Sequence, residues 1–106
     1  EAVKRVLRRI RTDYASPLSL EVLAGEAALE PKYFCRVFRQ ITGRTPIDYL
    51  NYYRVECAAE LLCATHQSVT DVALSCGFGD VSYFGRMFRR QKGKTPGEYR
   101  RAFGGS

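Results

Sequence analysis

The chain has 106 residues, 45% of them hydrophobic, with 17 Lys and Arg against 11 Asp and Glu and a net charge of +6. That length is enough for one ordinary domain or two very small ones sharing a core, and the apolar content excludes a wholly disordered chain. The basic surplus favours a polyanionic partner such as nucleic acid or an anionic membrane surface, but no apolar run approaches the roughly 20 residues of a membrane span.

Residues 2–14 are predicted to form a helix with Val3, Leu7, Ile10 and Tyr14 turned inward. Lys4, Arg5, Arg8, Arg9 and Arg11 fall mostly outward and read as a solvated basic face. Ser19 is the expected N-cap of a short second helix that carries Leu20, Leu23 and Ala24, with Leu29 just beyond it. In the next stretch, YFCRVFRQI, Phe34, Val37, Phe38 and Ile41 fall at i, i+3, i+4 and i+7 and make one apolar face. Lys32, Cys35, Arg36 and Arg39 share that spacing, rotated two positions, and make a second, largely basic stripe. Gly43 suits the left-handed residue that ends a helix, and Thr45 with Pro46 supplies a cap and a first helical position.

Residues 46–64 then read as one long helix, packing through Ile47, Leu50, Ala58, Leu61 and Leu62. Arg54 lies near its packing side and is expected to make a structural ion pair or a carbonyl contact. Ser68 opens another short helix, in which Val69, Val72, Ala73 and Phe78 correspond to Leu20, Leu23, Ala24 and Leu29. The turn Gly77-Phe78-Gly79 is longer than Ala28-Leu29, and then YFGRMFRRQKGKTP restates YFCRVFRQITGRTP. Phe84, Met87, Phe88 and Gln91 form the inner stripe of this second copy, and Ser82, Gly85, Arg86 and Arg89 the outer one. After Gly93, Thr95-x-x-Glu98 reads as a capping box, with Thr45-x-x-Asp48 an approximate counterpart.

A short helix, a tight turn and a second helix with an outward basic stripe is the grammar of helix-turn-helix. Here it occurs twice, and no segment alternates well enough for a strand. The chain is therefore read as all-α, about seven helices, with helix-turn-helix subdomains at 2–44 and 67–103 joined by a linker helix at 46–64. Such a helix fits the major groove of B-DNA. Successive major grooves on one face lie about 34 Å apart, and a helix of about 18 residues is roughly 27 Å long. A linker of that length suits two readers in adjacent grooves, which explains why one small chain carries the motif twice.

Other chemistries find little support. Cys35, Cys57, Cys63 and Cys76 include no C-x-x-C pair, the only histidine is His66, and Cys63-x-x-His66 is too sparse for a zinc site. The cysteines are expected to be reduced, mostly buried thiols of a cytoplasmic protein. No nucleophile–base pair, phosphate loop or metal cluster points to an enzyme, and no cofactor is expected. The aromatic pairs Tyr33-Phe34 and Tyr83-Phe84 are expected to pack at the core or groove edge and not to stack on bases.

The stretches LSLEVLA, YFCRVFRQITGRTPIDYLNYYRVECAAELL and SVTDVALSCGFGDVSYFGRMFRRQKGKTPGEYR together resemble the DNA-binding domain of the AraC/XylS family of bacterial transcription regulators, over residues of about 2–103. The resemblance implies sequence-specific binding of double-stranded DNA by a monomeric two-motif fragment and regulation, usually activation, through RNA polymerase; with no apolar run of membrane length, no membrane partner is expected. In most members a ligand-sensing or dimerising domain precedes this one, and the start at Glu1 fits the C-terminal piece of a larger regulator. Carried over position by position, the base-contacting residues are Lys32, Cys35 and Arg36 in the first motif and Val81, Ser82, Gly85 and Arg86 in the second. Arg39, Gln40, Arg89 and Arg90 are the expected phosphate contacts, with plain hydration the alternative for the three arginines. The chain departs from the pattern at Glu30, which stands where Ser or Thr is usual and can still favour a helix N-terminus but puts a negative charge toward DNA, and at Cys35 and Gly85, which are short for base readers.

Overall fold

The computed structural model describes residues 1–105. They form seven α-helices: α1 (Ala2–Asp13), α2 (Leu20–Ala27), α3 (Pro31–Thr42), α4 (Pro46–Ala64), α5 (Val69–Ser75), α6 (Val81–Lys92) and α7 (Pro96–Phe103). No strand occurs among the described residues, and no helix among them is long and apolar enough to cross a membrane. The chain divides into two compact units, Glu1–Tyr53 and the remainder from Arg54 onward.

The expected caps set the helix starts. Ser19 Oγ accepts from the Val22 amide at 3.1 Å, Ser68 Oγ from Asp71 at 3.0 Å, and Thr45 Oγ1 from Asp48 at 3.2 Å. Thr95 and Glu98 form the full reciprocal box, at 3.2 and 2.9 Å. Gly43 (φ 82°) and Gly93 (φ 76°) stop α3 and α6 in the left-handed region, each donating its N–H to the carbonyl of Arg39 or Arg89 at 2.8 Å.

In the first unit Val6, Ile10, Leu23, Phe34, Phe38 and Leu50 are almost wholly removed from solvent. In the second, Val55, Ala58, Leu62, Val72, Ala73, Cys76, Phe78, Phe84 and Phe88 take that part. The internal repeat reaches further than the sequence reading carried it. Arg5-Val6 of α1 and Arg54-Val55 of α4 stand at the same offset as Ser19 and Ser68, and both valines are fully buried. At the other end Phe38 meets Tyr49 edge-on at 5.7 Å, and Phe88 meets Tyr99 edge-on at 5.3 Å. Each unit is thus an entering helix, the two helices of a helix-turn-helix, and a leaving helix that starts at Thr-Pro. Helix α4 is the leaving helix of the first unit and, without interruption, the entering helix of the second.

Several sequence expectations are corrected. Ile41, read as inward, is 65% exposed: the core along α3 stops at Phe38, with Val37 at its margin. Gln91, at the matching place in α6, donates to Glu56 at 2.8 Å, as suits the rim of a core. Leu61 is only partly buried, whereas Val6, Val55 and Ala59, absent from the expected packing set, are buried. Two arginines of the α1 stripe are not simply solvated. Arg5 donates to the carbonyls of Glu26 and Ala27 at 3.2 and 3.4 Å, satisfying the end of α2. Arg9 pairs with Glu26 at 3.0 Å, and its Nε lies 2.8 Å from Asp13 without hydrogen-bond alignment. Arg100 does for α4 what Arg5 does for α2, donating to Leu62 and Thr65 carbonyls at 2.9 and 3.4 Å.

Both turns, into α3 and into α6, need a left-handed residue. The second supplies Gly77 (φ 95°), and the first supplies Ala28 (φ 58°). A Cβ makes that conformation cost about 1–2 kcal/mol, while glycine gives part of the gain back through a more flexible unfolded chain. Ala28→Gly should therefore stabilise the protein by up to about 1 kcal/mol, read as a rise in thermal midpoint. A lower midpoint would show that Ala28 is not strained.

Candidate nucleic-acid interface

Helices α3 and α6 each begin at an acidic cap. Glu30 Oε1 accepts from the Tyr33 amide at 3.0 Å, and Asp80 Oδ1 from the amides of Ser82 and Tyr83 at 2.8 and 3.3 Å. Glu30 is therefore occupied with the start of its own helix and does not simply stand as a stray negative charge toward DNA. Its counterpart Asp80 plays the same role, as its place ahead of Val81 could have indicated.

From those starts the core side of each helix is fixed by two phenylalanines, Phe34 and Phe38 or Phe84 and Phe88, all fully buried. The opposite side carries most of the candidate residues. Lys32, Arg36, Arg39 and Gln40 are exposed on α3, and Cys35 partly so. Val81, Ser82, Arg86, Arg89 and Arg90 are exposed on α6, and Gly85 partly so. The sequence-predicted set thus falls on one side of each helix except for Val81, which lies three residues before Phe84 on the core side of α6 and is 37% exposed at its first turn. Each unit also carries a surplus of three positive charges, nine basic against six acidic residues up to Tyr53 and eight against five beyond it.

The Tyr-Phe pairs, treated alike in the sequence, separate in the structure. Phe34 and Phe84 go to the core, while Tyr33 is 50% exposed and Tyr83 is partly buried. The Arg36 guanidinium lies 6.0 Å over the Tyr33 ring, and that of Arg86 5.8 Å over Tyr83. Spacing could have revealed this, since both are i, i+3 pairs on a helix. In the turn after α3, Arg44 lies 4.0 Å over Tyr52, a contact the sequence reading did not include.

Charge near the other end of α6 is partly compensated. Lys92 Nζ is 2.6 Å from Glu56 Oε2, tying the end of the helix to α4. Burial alone would raise the Glu56 pKa, but hydrogen bonds from Lys92 and Gln91 and the charge of Lys92 outweigh it and hold the carboxylate below its ordinary range. Glu98 is also held low, first by the Thr95 backbone N–H and then by the Thr95 hydroxyl, with Arg89 and Arg101 adding charge. Arg54 is buried, its guanidinium 6.0 Å over Phe78. Burial lowers its pKa, while Cys76 and Tyr83 act in the opposite direction.

Only one of the four cysteines is buried, against the expectation of mostly buried thiols. Cys35 lies on the outward stripe of α3 and Cys57 and Cys63 on α4, all partly exposed. Burial pushes the Cys76 thiol up to about 11, so it stays protonated at neutral pH. No group of three His, Cys, Asp or Glu suited to a metal occurs among the described residues.

A Cβ built on Gly85 meets nothing within 4 Å. Inside a helix, glycine costs about 1 kcal/mol relative to alanine. Gly85→Ala should therefore raise stability by about 1 kcal/mol. If the helix backbone approaches DNA closely there, the same change weakens binding. Paired thermal melts and binding isotherms check it, and a variant that gains stability without losing affinity would remove close approach as the reason for this glycine.

The sequence matches the family described as a helix-turn-helix domain over residues 23–102. It is 38% identical over 96 residues to the uncharacterized HTH-type transcriptional regulator YpdC of Escherichia coli K12, covering 91% of this chain and 34% of that protein. With the HTH-type transcriptional activator RhaS of Enterobacter sp. strain 638 it shares 37% identity over 98 residues, 92% of this chain and 35% of the other. The chain thus spans about a third of the length of these relatives. Among solved structures, the DNA-binding domain of AdpA in complex with a target DNA superposes with a TM-score of 0.89 at 33% identity, covering 97% of this chain and 93% of that one. The C-terminal domain of AraT, a response regulator from Geobacillus stearothermophilus, gives 0.93 at 31% identity, covering 99% and 88%.

Proposed function

The chain belongs to the AraC/XylS family of transcription regulators as a DNA-binding domain, and from that premise we propose that it binds a specific double-stranded DNA site by inserting α3 and α6 into successive major grooves. Lys32, Cys35 and Arg36 contact bases in the first groove, and Val81, Ser82, Gly85 and Arg86 in the second. Arg39, Gln40, Arg89 and Arg90 contact phosphates. The observation that carries the reading is the duplication: two capped helices expose matching stripes with an arginine at the same place in each. Helix α4, 19 residues long, joins the two units without a break and spans about 28 Å at 1.5 Å per residue. The fragment acts as a monomer in the cytoplasm, within a larger regulator that activates transcription through RNA polymerase.

Selection from a pool of random duplexes tests this. A regulator enriches one bipartite site whose halves lie about one helical turn apart, whereas a module for acidic proteins enriches none. Affinity for the selected site should fall linearly on a log–log plot against salt, with about four to eight phosphates each adding a slope of roughly −0.9. Salt-independent binding would contradict the phosphate contacts.

A further inference from the structure

The two arginines proposed as readers share a device that their own assignment does not require. Among the described residues neither is in an ion pair, yet each lies over a tyrosine ring three residues earlier. Side chains on a helix lean toward its N-terminus, so an arginine covers the residue one turn back. That tyrosine is in turn held at its backbone N–H by the acidic cap three residues before it, Tyr33 by Glu30 at 3.0 Å and Tyr83 by Asp80 at 3.3 Å. Cap, ring and arginine therefore follow at equal spacing in both copies: Glu30, Tyr33, Arg36 and Asp80, Tyr83, Arg86. The other exposed arginines of the stripes, Arg39, Arg89 and Arg90, have no such ring among the described residues. Nor is packing a sufficient reason for Tyr33, which is 50% exposed beside a fully buried Phe34.

We propose that Tyr33 and Tyr83 are positioning residues: each ring holds the guanidinium of Arg36 or Arg86 in one orientation before DNA arrives. An arginine side chain has many rotamers to lose on binding, and stacking on an aromatic face removes part of that loss in advance. The effect is local, so each ring governs discrimination only at the base pair its own arginine reads. This rests on the reading of Arg36 and Arg86 as base readers.

The test is a base-by-base substitution scan of the selected site with Tyr33→Leu, Tyr33→Phe, Tyr83→Leu and Tyr83→Phe, alongside Arg36→Ala and Arg86→Ala. Each leucine variant should bind the preferred site about two- to five-fold more weakly, with the loss concentrated at one base pair under its own motif. The phenylalanine variants, which keep the ring face, should bind as the wild type does. Leucine variants that discriminate normally, a loss spread evenly over all base pairs, or phenylalanine variants as weak as leucine would each overturn the proposal. If the arginine variants flatten discrimination and the leucine variants do not, the positioning role fails while the readers stand. If the arginine variants change nothing, the assignment of readers fails first. Tyr83 also touches Phe78, with ring centroids 6.2 Å apart, so a Tyr83→Leu protein that does not fold leaves the decision to the Tyr33 pair.

Discussion

Ala59→Pro should cost about 3 kcal/mol or more, because the ring removes an intrahelical hydrogen bond and collides with the preceding turn. Ala59 is only 5% exposed, so the added ring atoms also overfill the core of the second unit. The damage should stay in that unit. The core cluster of the first unit runs from Val3 to Leu50, with Tyr53 packed at its edge. Amide hydrogen exchange on the variant should then show protection retained in α1, α2 and α3 and lost in α5 and α6. Binding should fall to the level of a single motif, measured on the full site against each half. A variant that keeps full-site affinity would show that α4 neither supports the second unit nor sets the distance between readers.

Arg86→Ala should weaken binding to the preferred site by about 1–3 kcal/mol, the usual worth of a bidentate arginine–guanine contact. In the second motif few other side chains can donate to a base edge. Gly85 has no side chain, and Val81, 37% exposed, offers only apolar contact, for example to a thymine methyl. Discrimination should collapse at one base pair under α6 and persist under α3, where Lys32 and Arg36 remain. Arg36→Ala should weaken binding while leaving the preference under α6 intact. If Arg86→Ala still tells all four base pairs apart beneath the second motif, another residue is the reader.

The fold could be read from the sequence wherever local chemistry is strong. Ser19, Ser68, Thr45 and Thr95 start helices because a side-chain oxygen can satisfy an orphan amide, and Gly43 and Gly93 stop them because only the left-handed region fits there. The outward stripes followed from the buried phenylalanines, since four positions on one face leave the other face determined. What periodicity could not supply was the extent of each core. Ile41 satisfies the period, but the core stops at Phe38. Arg5 and Arg9 look like surface charges until α2 is folded against α1, which brings its last carbonyls to Arg5 and the Glu26 carboxylate to Arg9. The roles of Tyr33 and Tyr83 were hidden for a related reason. A tyrosine beside a phenylalanine reads as one hydrophobic cluster, and only the turn of the helix sends one ring inward and leaves the other partly exposed.

The shared helix α4 has a consequence for how such a chain arises. A duplicated unit ordinarily brings a new junction with it, two helix ends whose backbone amides and carbonyls must find partners. Here the copies overlap within one element, so the join at Tyr53-Arg54 lies inside a continuous helix and has no ends. Tandem copying in this register adds a second reader without inventing a linker, because the exit of one copy is already the entrance of the next.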